Sequence, residues 1–321
     1  MIRSTCVVAL YLAVQAALTP GEARAHGLAG KRFFPATLAV DDPFVADELS
    51  FPTVLYTKTP STDDTPATRE TQIGGELAKR LTRDLGVSLG GRLIHLDPDA
   101  GPGSTGFDNL DVGVKYQLFA NDTHETIVSV DLGWEAGGTG RLAVGADSFD
   151  MVTPSLLFGK GFGDLSDAVS LLRPLAATGL LGAKIPTVTS SRVLKAVQPT
   201  GERVTDVQRH ADILQWGLVV EYSLPYLQSF VRDVGLPVPL NRLVPVVEVL
   251  VDQPLDRGQS GKTTGTINPG IIWIGRVFQI GVEAVVPLNE RSGKNVGIRA
   301  QLHFYLDDLF PRTFGRPVFG P

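Results

Sequence analysis

The sequence predicts an all-β fold, a transmembrane antiparallel up-and-down β-barrel of about 12 strands with short helices at its periplasmic side. Three observations favour this fold. The chain opens with a secretory signal, apolar and polar residues alternate in many short segments, and the connections between those segments divide into long and short ones. Together these features are typical of proteins that cross the outer membrane of Gram-negative cells.

Residues 1–25 have the features of a secretory signal peptide. The apolar stretch Cys6–Leu18 precedes a Pro-Gly break and the small-x-small sequence Ala-Arg-Ala at 23–25, which is the usual pattern before a cleavage site. The stretch is shorter than the about 20 apolar residues that a membrane-spanning helix needs. Cleavage after Ala25 would start the mature chain at His26 and remove Cys6, the only cysteine, so the mature protein would hold no disulfide.

No later segment has the length and apolar character of a transmembrane helix. A secreted chain of this kind is either a soluble β protein or a barrel, because only helices and closed barrels satisfy their backbone polar groups in lipid. The net charge of −5 and the lack of any basic run argue against a nucleic-acid partner.

The strand pattern is clearest at residues 296–306, where apolar and polar side chains alternate without interruption. Leu302 belongs to the apolar face, and Arg299, Gln301 and His303 belong to the polar face. In an outer-membrane barrel the apolar face meets lipid and the polar face lines the lumen. The same alternation occurs at 110–120, 127–135, 213–222 and 278–286, and more weakly at 51–59, 73–81, 85–95, 151–159, 173–185, 244–252 and 267–274.

The connections between these segments support the barrel. If both termini are periplasmic, the outward loops fall near 60–69, 96–107, 136–148, 187–210, 254–264 and 289–294, and most are rich in polar turn residues. The inward connections near 82–85, 120–125 and 275–277 are tight, which is the outer-membrane pattern. Two inward connections are longer, and each predicts a short helix: 163–174, with Asp164 or Ser166 as its cap, and 225–243, with apolar residues at helical spacing.

The predicted organisation has four parts. Residues 1–25 are the signal peptide, 26–48 are a periplasmic N-terminal segment or a plug that enters the lumen, 49–306 are the barrel, and 307–321 are a C-terminal tail. Barrels usually end on the aromatic residue of the last strand, here Phe304, so the tail is a departure, and Phe319 is a candidate substitute for that residue.

The candidate lumen site consists of charged residues that alternate onto the polar, inward-facing side of their predicted strands. An eight-stranded barrel is filled by side chains and sixteen or more strands leave a water channel, so about 12 strands predict a narrow or plugged passage. The alternative interpretation is a set of internal salt bridges that stiffen a filled barrel. The predicted lumen-lining residues are Lys115, Asp131, Glu135, Lys184, Glu221, Glu248, Glu283, Arg299 and His303.

The sequence predicts no catalytic site, no metal site and no cofactor. None of the five histidines pairs with another at metal-ligand spacing. A serine hydrolase needs a serine close to a histidine, and His303 meets that condition only if a first-strand residue such as Ser50 comes near it. We therefore predict a protein that is not an enzyme.

The even set of alternating strands, the signal and the ending "AQLHFYLDDLFPRTFGRPVF" resemble proteobacterial outer-membrane proteins grouped as transporters, including those named for phenol-degradation pathways. The resemblance implies a channel or transporter for small molecules, hydrophobic ones included, with outer-membrane lipid and an unknown solute as partners. Two alternatives stay open: a non-conducting structural barrel and a soluble secreted β-sandwich. The oligomeric state is not indicated.

Overall fold

The computed structural model describes residues 27–61, 66–197 and 203–319. The predicted signal peptide and His26 lie outside the described residues. One antiparallel sheet contains the short strand Ser104–Phe107 and, around the barrel, twelve long strands. They are β1 (Glu48–Thr59), β2 (Thr68–Arg80), β3 (Leu85–Pro98), β4 (Leu110–Asn121), β5 (Thr126–Ala136), β6 (Met151–Gly161), β7 (Leu175–Pro186), β8 (Ile213–Tyr222), β9 (Leu243–Pro254), β10 (Thr264–Ile274), β11 (Phe278–Pro287) and β12 (Gly297–Tyr305).

The sheet closes on itself. Each strand pairs with its neighbours in the chain, and β12 pairs with β1, with Arg299 opposite Leu55 and His303 opposite Ser50. A β-sandwich consists of two separate sheets packed face to face, so the closure excludes that alternative. The predicted barrel and its number of strands are confirmed.

The two faces of the sheet differ in polarity, as the alternation predicts. On the outer face large apolar side chains such as Val114, Leu132 and Trp134 are exposed. On the inner face polar and charged side chains such as Glu248 and His303 are buried. An exposed apolar belt around a closed sheet is the surface that a barrel presents to lipid.

The connections differ in length between the two ends of the barrel. At one end the turns are short, with residues 81–84, 122–125 and 275–277 joining consecutive strands. At the other end the loops are longer. One of them, between β7 and β8, holds a hairpin of strands Ser190–Val197 and Arg203–Arg209. Outer-membrane barrels keep their short turns in the periplasm, and we name the ends accordingly.

The two predicted helices at the periplasmic end are shorter and less regular than expected. In 163–174 the structure has a 3₁₀ segment at Asp167–Leu172, whose N-cap residue Ser166 makes no side-chain cap bond. Asp164 does not cap it, because its carboxylate binds Lys160 and His124. In 225–243 helical turns extend from Leu224 to Val231, and a separate 3₁₀ turn follows at Leu240–Arg242. Between them Gly235 adopts a φ of 68° and prolines follow it.

The C-terminal tail folds back onto the periplasmic end of β2. Backbone N–H groups of Val318 and Phe319 donate to the carbonyls of Arg80 and Leu81 at 3.2 and 2.8 Å. The fully buried Asp47 carboxylate binds Lys79 and Arg80, at 2.7 and 2.8 Å. The start of β1, the end of β2 and the tail are therefore held together by one carboxylate and its two cations.

Within the described ranges, no helix is both long and apolar enough to cross a membrane.

Val114 of β4 and Ser88 of β3 provide a matched test of the two faces. They belong to neighbouring cross-strand pairs, Val87–Val114 and Ser88–Gly113, so they lie at nearly the same depth in the membrane. Val114 is exposed on the outer face, and Ser88 lines an internal cavity. Val114→Arg should cost roughly 2–4 kcal/mol of folding free energy if the site is near the bilayer midplane, and Ser88→Arg should cost much less. Denaturant unfolding of both variants in lipid vesicles measures the difference, and equal costs would contradict the assignment of faces.

Candidate functional site

The chain that precedes β1 lies inside the barrel. We call residues 27–47 the inner segment. Leu38 and Val40 of this segment are buried in an apolar cluster whose other members come from inward-facing positions on five strands. Those members are Leu157, Leu180, Val219, Val244, Val246 and Ile272. The inner segment therefore fills the part of the lumen next to β6–β10.

A single carboxylate holds the middle of the inner segment. Glu248 of β9 accepts hydrogen bonds from three consecutive backbone N–H groups: Leu38 at 2.7 Å, Ala39 at 2.9 Å and Val40 at 2.8 Å. The side-chain amide of Gln279 donates to the carbonyl of Ala36. Charge-assisted bonds of this kind are about twice as strong as neutral ones, so Glu248 both satisfies its own buried charge and fixes the backbone of the segment.

A second anchor lies at the periplasmic end. Arg32, which is fully buried, binds Glu125 at 3.2 Å, the carbonyl of Pro174 at 2.8 Å and the carbonyl of Arg173. Its guanidinium stacks 3.8 Å from the ring centre of Tyr226. The hydroxyl of Tyr226 donates to Glu125 at 2.9 Å. Burial, and then the neighbouring Glu125 carboxylate, raise the pKa of Tyr226 to about 12, so this phenol remains a hydrogen-bond donor.

The opposite side of the lumen is open. A cavity of about 590 Å³ extends from Ala78 and Gly86, near the periplasmic ends of β2 and β3, to Met151 and Ile213, near the outer ends of β6 and β8. A second cavity of about 480 Å³ adjoins it, since both are lined by Asp41, Glu48, Glu76 and Arg92. The lumen is therefore filled along one wall and hollow along the other.

The predicted lumen residues divide between these two sides. Lys115, Asp131, Glu135 and Lys184 line the first cavity, and Arg299 and His303 line the second. Glu221, Glu248 and Glu283 are buried instead of facing open space. Glu248 holds the inner segment.

The cations of the lumen are ion-paired. Lys115 binds Asp41 of the inner segment at 2.9 Å, and Lys184 binds Asp252 at 2.8 Å. Arg299 and Glu283 are directly opposite each other in the β11–β12 ladder, with 2.8 Å between Nη1 and Oε1. The sequence places both residues on the inward face of one hairpin, with Glu283 opposite either Arg299 or Gln301, and the structure has the first of these registers. Internal salt bridges and polar cavities therefore occur together in this lumen. Arg173, which has inward parity in the sequence, precedes β7 and binds Asp167 at the periplasmic end.

Sequence reasoning missed several residues of the cavities. Glu48, Glu76, Arg92 and Asp111 line both of them. The sequence could have identified Glu76, because it shares one face of β2 with Gln72 and Gly74 in the period-two alternation of the strand. Glu48 lies at the first residue of β1, where no alternation precedes it, and the β1 ladder is irregular between Ser50 and Thr53.

The structure also brings Ser50 next to His303, which is the condition that the sequence analysis set for a serine nucleophile. The hydroxyl oxygen of Ser50 lies 2.9 Å from Nδ1 of His303, because the two residues are direct partners in the β1–β12 ladder. On the other side of the ring, Nε2 of His303 lies 3.2 Å from the carboxylate of Glu48. The proximity that a serine nucleophile requires is therefore present.

The described parts of the chain hold no group of three or more histidine, cysteine, aspartate or glutamate side chains arranged to bind a metal ion.

One comparison with a solved structure supports the fold. No protein-family model matches the sequence, and a search of curated proteins finds no match. Among solved structures, an outer-membrane channel from Pseudomonas putida F1 is similar, with a TM-score of 0.54 and 13% identity over 89% of this chain and 99% of the channel. The transport unit of the autotransporter AIDA-I from Escherichia coli has a TM-score of 0.46 at 11% identity over 87% of this chain and 95% of its own. The KdgM porin has a TM-score of 0.43 at 11% identity over 79% of this chain and 98% of the porin. At these identities the likeness concerns the fold alone, and the closed barrel of twelve strands is an outer-membrane barrel.

Proposed function

We propose that this protein is an outer-membrane channel in which small polar molecules pass along the hollow wall of the lumen. The observation that carries the proposal is the 590 Å³ cavity, which runs beside the inner segment from the periplasmic ends of β2 and β3 towards the outer ends of β6 and β8. Cavities of this size hold small organic molecules.

The lining of this cavity favours polar over hydrophobic solutes. It contains the carboxylates of Glu76, Asp111 and Asp131 together with the ammonium groups of Lys115 and Lys184. A solute that passes such a wall exchanges its hydration shell for fixed charges and dipoles. Apolar molecules make no such exchange, and one apolar cluster of the lumen is covered by the inner segment.

In this proposal the inner segment is a plug that narrows the passage. Its anchors, Glu248 and the Arg32 cluster, hold it against β6–β10 and leave a cavity along the wall of β2–β5. The filled half of the lumen also favours the alternative, a non-conducting structural barrel. Conductance separates the two functions, because only a channel passes ions across a planar bilayer.

Deletion of residues 27–46 should raise conductance several-fold over that of the wild-type protein, because it empties the filled half of the lumen. The deletion retains Asp47, which binds Lys79 and Arg80. Single-channel recordings in planar bilayers measure the effect, and heat-modifiable migration on a gel checks that the barrel assembles. Unchanged conductance in an assembled deletion variant would show that the segment does not restrict passage.

The Arg299–Glu283 pair should influence ion selectivity, because Arg299 lines the second cavity. Arg299→Glu leaves two facing carboxylates, so the reversal potential in a salt gradient should shift towards cation selectivity. Adding Glu283→Arg restores the opposite charges and should return most of the wild-type value.

Lys294→Glu is the matched control for this charge change. Lys294 lies in the outer loop between β11 and β12 and makes an exposed contact of 3.9 Å to Glu290. The reversal potential of the Lys294→Glu channel should remain near that of the wild type.

The double variant Arg299→Glu, Glu283→Arg decides the outcome. If its reversal potential is no closer to the wild-type value than that of Arg299→Glu or Glu283→Arg alone, the pair has no role in selectivity.

A further inference from the structure

Three side chains on the inner wall at the β1–β12 seam lie in a row, joined by one hydrogen bond and one close contact between an imidazole and a carboxylate. His303 is fully buried and lies between Ser50, whose Oγ is 2.9 Å from Nδ1, and Glu48, whose carboxylate is 3.2 Å from Nε2. Glu48 and Ser50 are two residues apart on β1, so their side chains share one face of the strand. His303 is the cross-strand partner of Ser50.

This order of groups is that of an activated serine nucleophile. A hydroxyl becomes a nucleophile when an adjacent base takes its proton and a third group orients that base. Here the imidazole is the base, and the Glu48 carboxylate can accept the proton on Nε2, which leaves Nδ1 free to accept the proton of Ser50. The arrangement is recognised by geometry and roles, and it occurs on unrelated folds.

This row of side chains opens onto a cavity. Ser50, Glu48 and His303 all line the 480 Å³ cavity. Arg299 and Gln301 precede His303 on the same face of β12 and line the same cavity. The side-chain amide of Gln301 donates to Thr53 at 3.2 Å. Such donors can stabilise the negative charge that develops on a carbonyl oxygen.

We propose that Ser50, His303 and Glu48 form a hydrolytic site for small carboxylic esters in the barrel lumen. The inference does not depend on the channel function. The inner segment forms part of the cavity wall through residues 36–42, which restricts the site to esters with short acyl chains.

The reaction proceeds in two balanced steps. Ser50 Oγ attacks the ester carbonyl carbon while its proton moves to Nδ1 of His303, and collapse of the tetrahedral intermediate breaks the carbon–oxygen bond as the same proton moves to the departing alcohol. Water then attacks the acyl-serine, giving one proton to His303. That proton returns to Ser50 Oγ as the carboxylic acid leaves. No oxidant or reductant is needed.

A fluorophosphonate probe tests the nucleophile. Purified wild-type protein, folded in detergent and checked by heat-modifiable migration, should form one covalent adduct, which peptide mass spectrometry should locate on Ser50. The adduct should be absent in Ser50→Ala and His303→Gln. Ser88→Ala is the matched control, because Ser88 lines the neighbouring cavity and has no histidine within hydrogen-bond distance in the described residues. It should label like the wild type.

Hydrolysis of 4-nitrophenyl acetate tests the reaction and the role of Glu48. Ser50→Ala and His303→Gln should each lower the rate at least a hundred-fold. Glu48→Gln should lower the rate and change its pH profile, and Glu48→Asp should restore part of both, which a merely structural role would not do.

The absence of an adduct on folded wild-type protein, or an adduct on another residue, would overturn the proposal. An ester hydrolysis rate that is the same in Ser50→Ala as in the wild type would overturn it as well. Neither result would bear on conductance, so the channel function and the hydrolytic site can fail independently.

Discussion

The structure depends on one constraint: every backbone N–H and C=O of the sheet needs a partner where the surroundings are lipid. The chain meets this constraint by pairing its last strand with its first, so the sheet has no open edge within the membrane. The apolar belt on the outer face is possible only because the ladder behind it is complete. The irregularity of β1 between Ser50 and Thr53 lies at this seam, where β1 is out of step with both β2 and β12.

Closure with twelve strands creates the next problem, because the lumen is too wide to be filled by the side chains of the wall alone. The inner segment fills one side of it. Its apolar residues pack against inward-facing valines and leucines, and its backbone N–H groups are satisfied by Glu248. The segment needs these partners because a buried, unpaired backbone N–H is costly. Glu248 in turn needs the N–H groups of the segment, since a buried carboxylate without hydrogen-bond donors would be strongly destabilising.

The charged side chains of the lumen also need partners or solvent, and where each lies determines which of these it has. Glu248 and Glu283 are buried, and they are held by hydrogen bonds to the inner segment and by the ion pair with Arg299, respectively. Glu76 and Asp131, along the hollow wall, line a cavity in which water can solvate them. The same barrel therefore contains a packed interior and polar cavities. Ser50 and His303 lie at the seam that borders the second cavity, where their hydrogen bond faces open volume.

The sequence by itself determined the barrel, the approximate positions of its twelve long strands and the face on which most of their residues lie, because these follow from local alternation with a period of two. It determined the Arg299–Glu283 neighbourhood too, since a short loop limits the register of a hairpin to two choices. Only the tertiary structure decided which wall is covered and which is hollow. That choice depends on contacts such as the bond from Leu38 to Glu248, 210 residues apart in the chain. The Ser50–His303 contact likewise depends on the closing pair of strands, β1 and β12, at opposite ends of the sequence. No local pattern encodes such contacts, because they exist only when the ring closes.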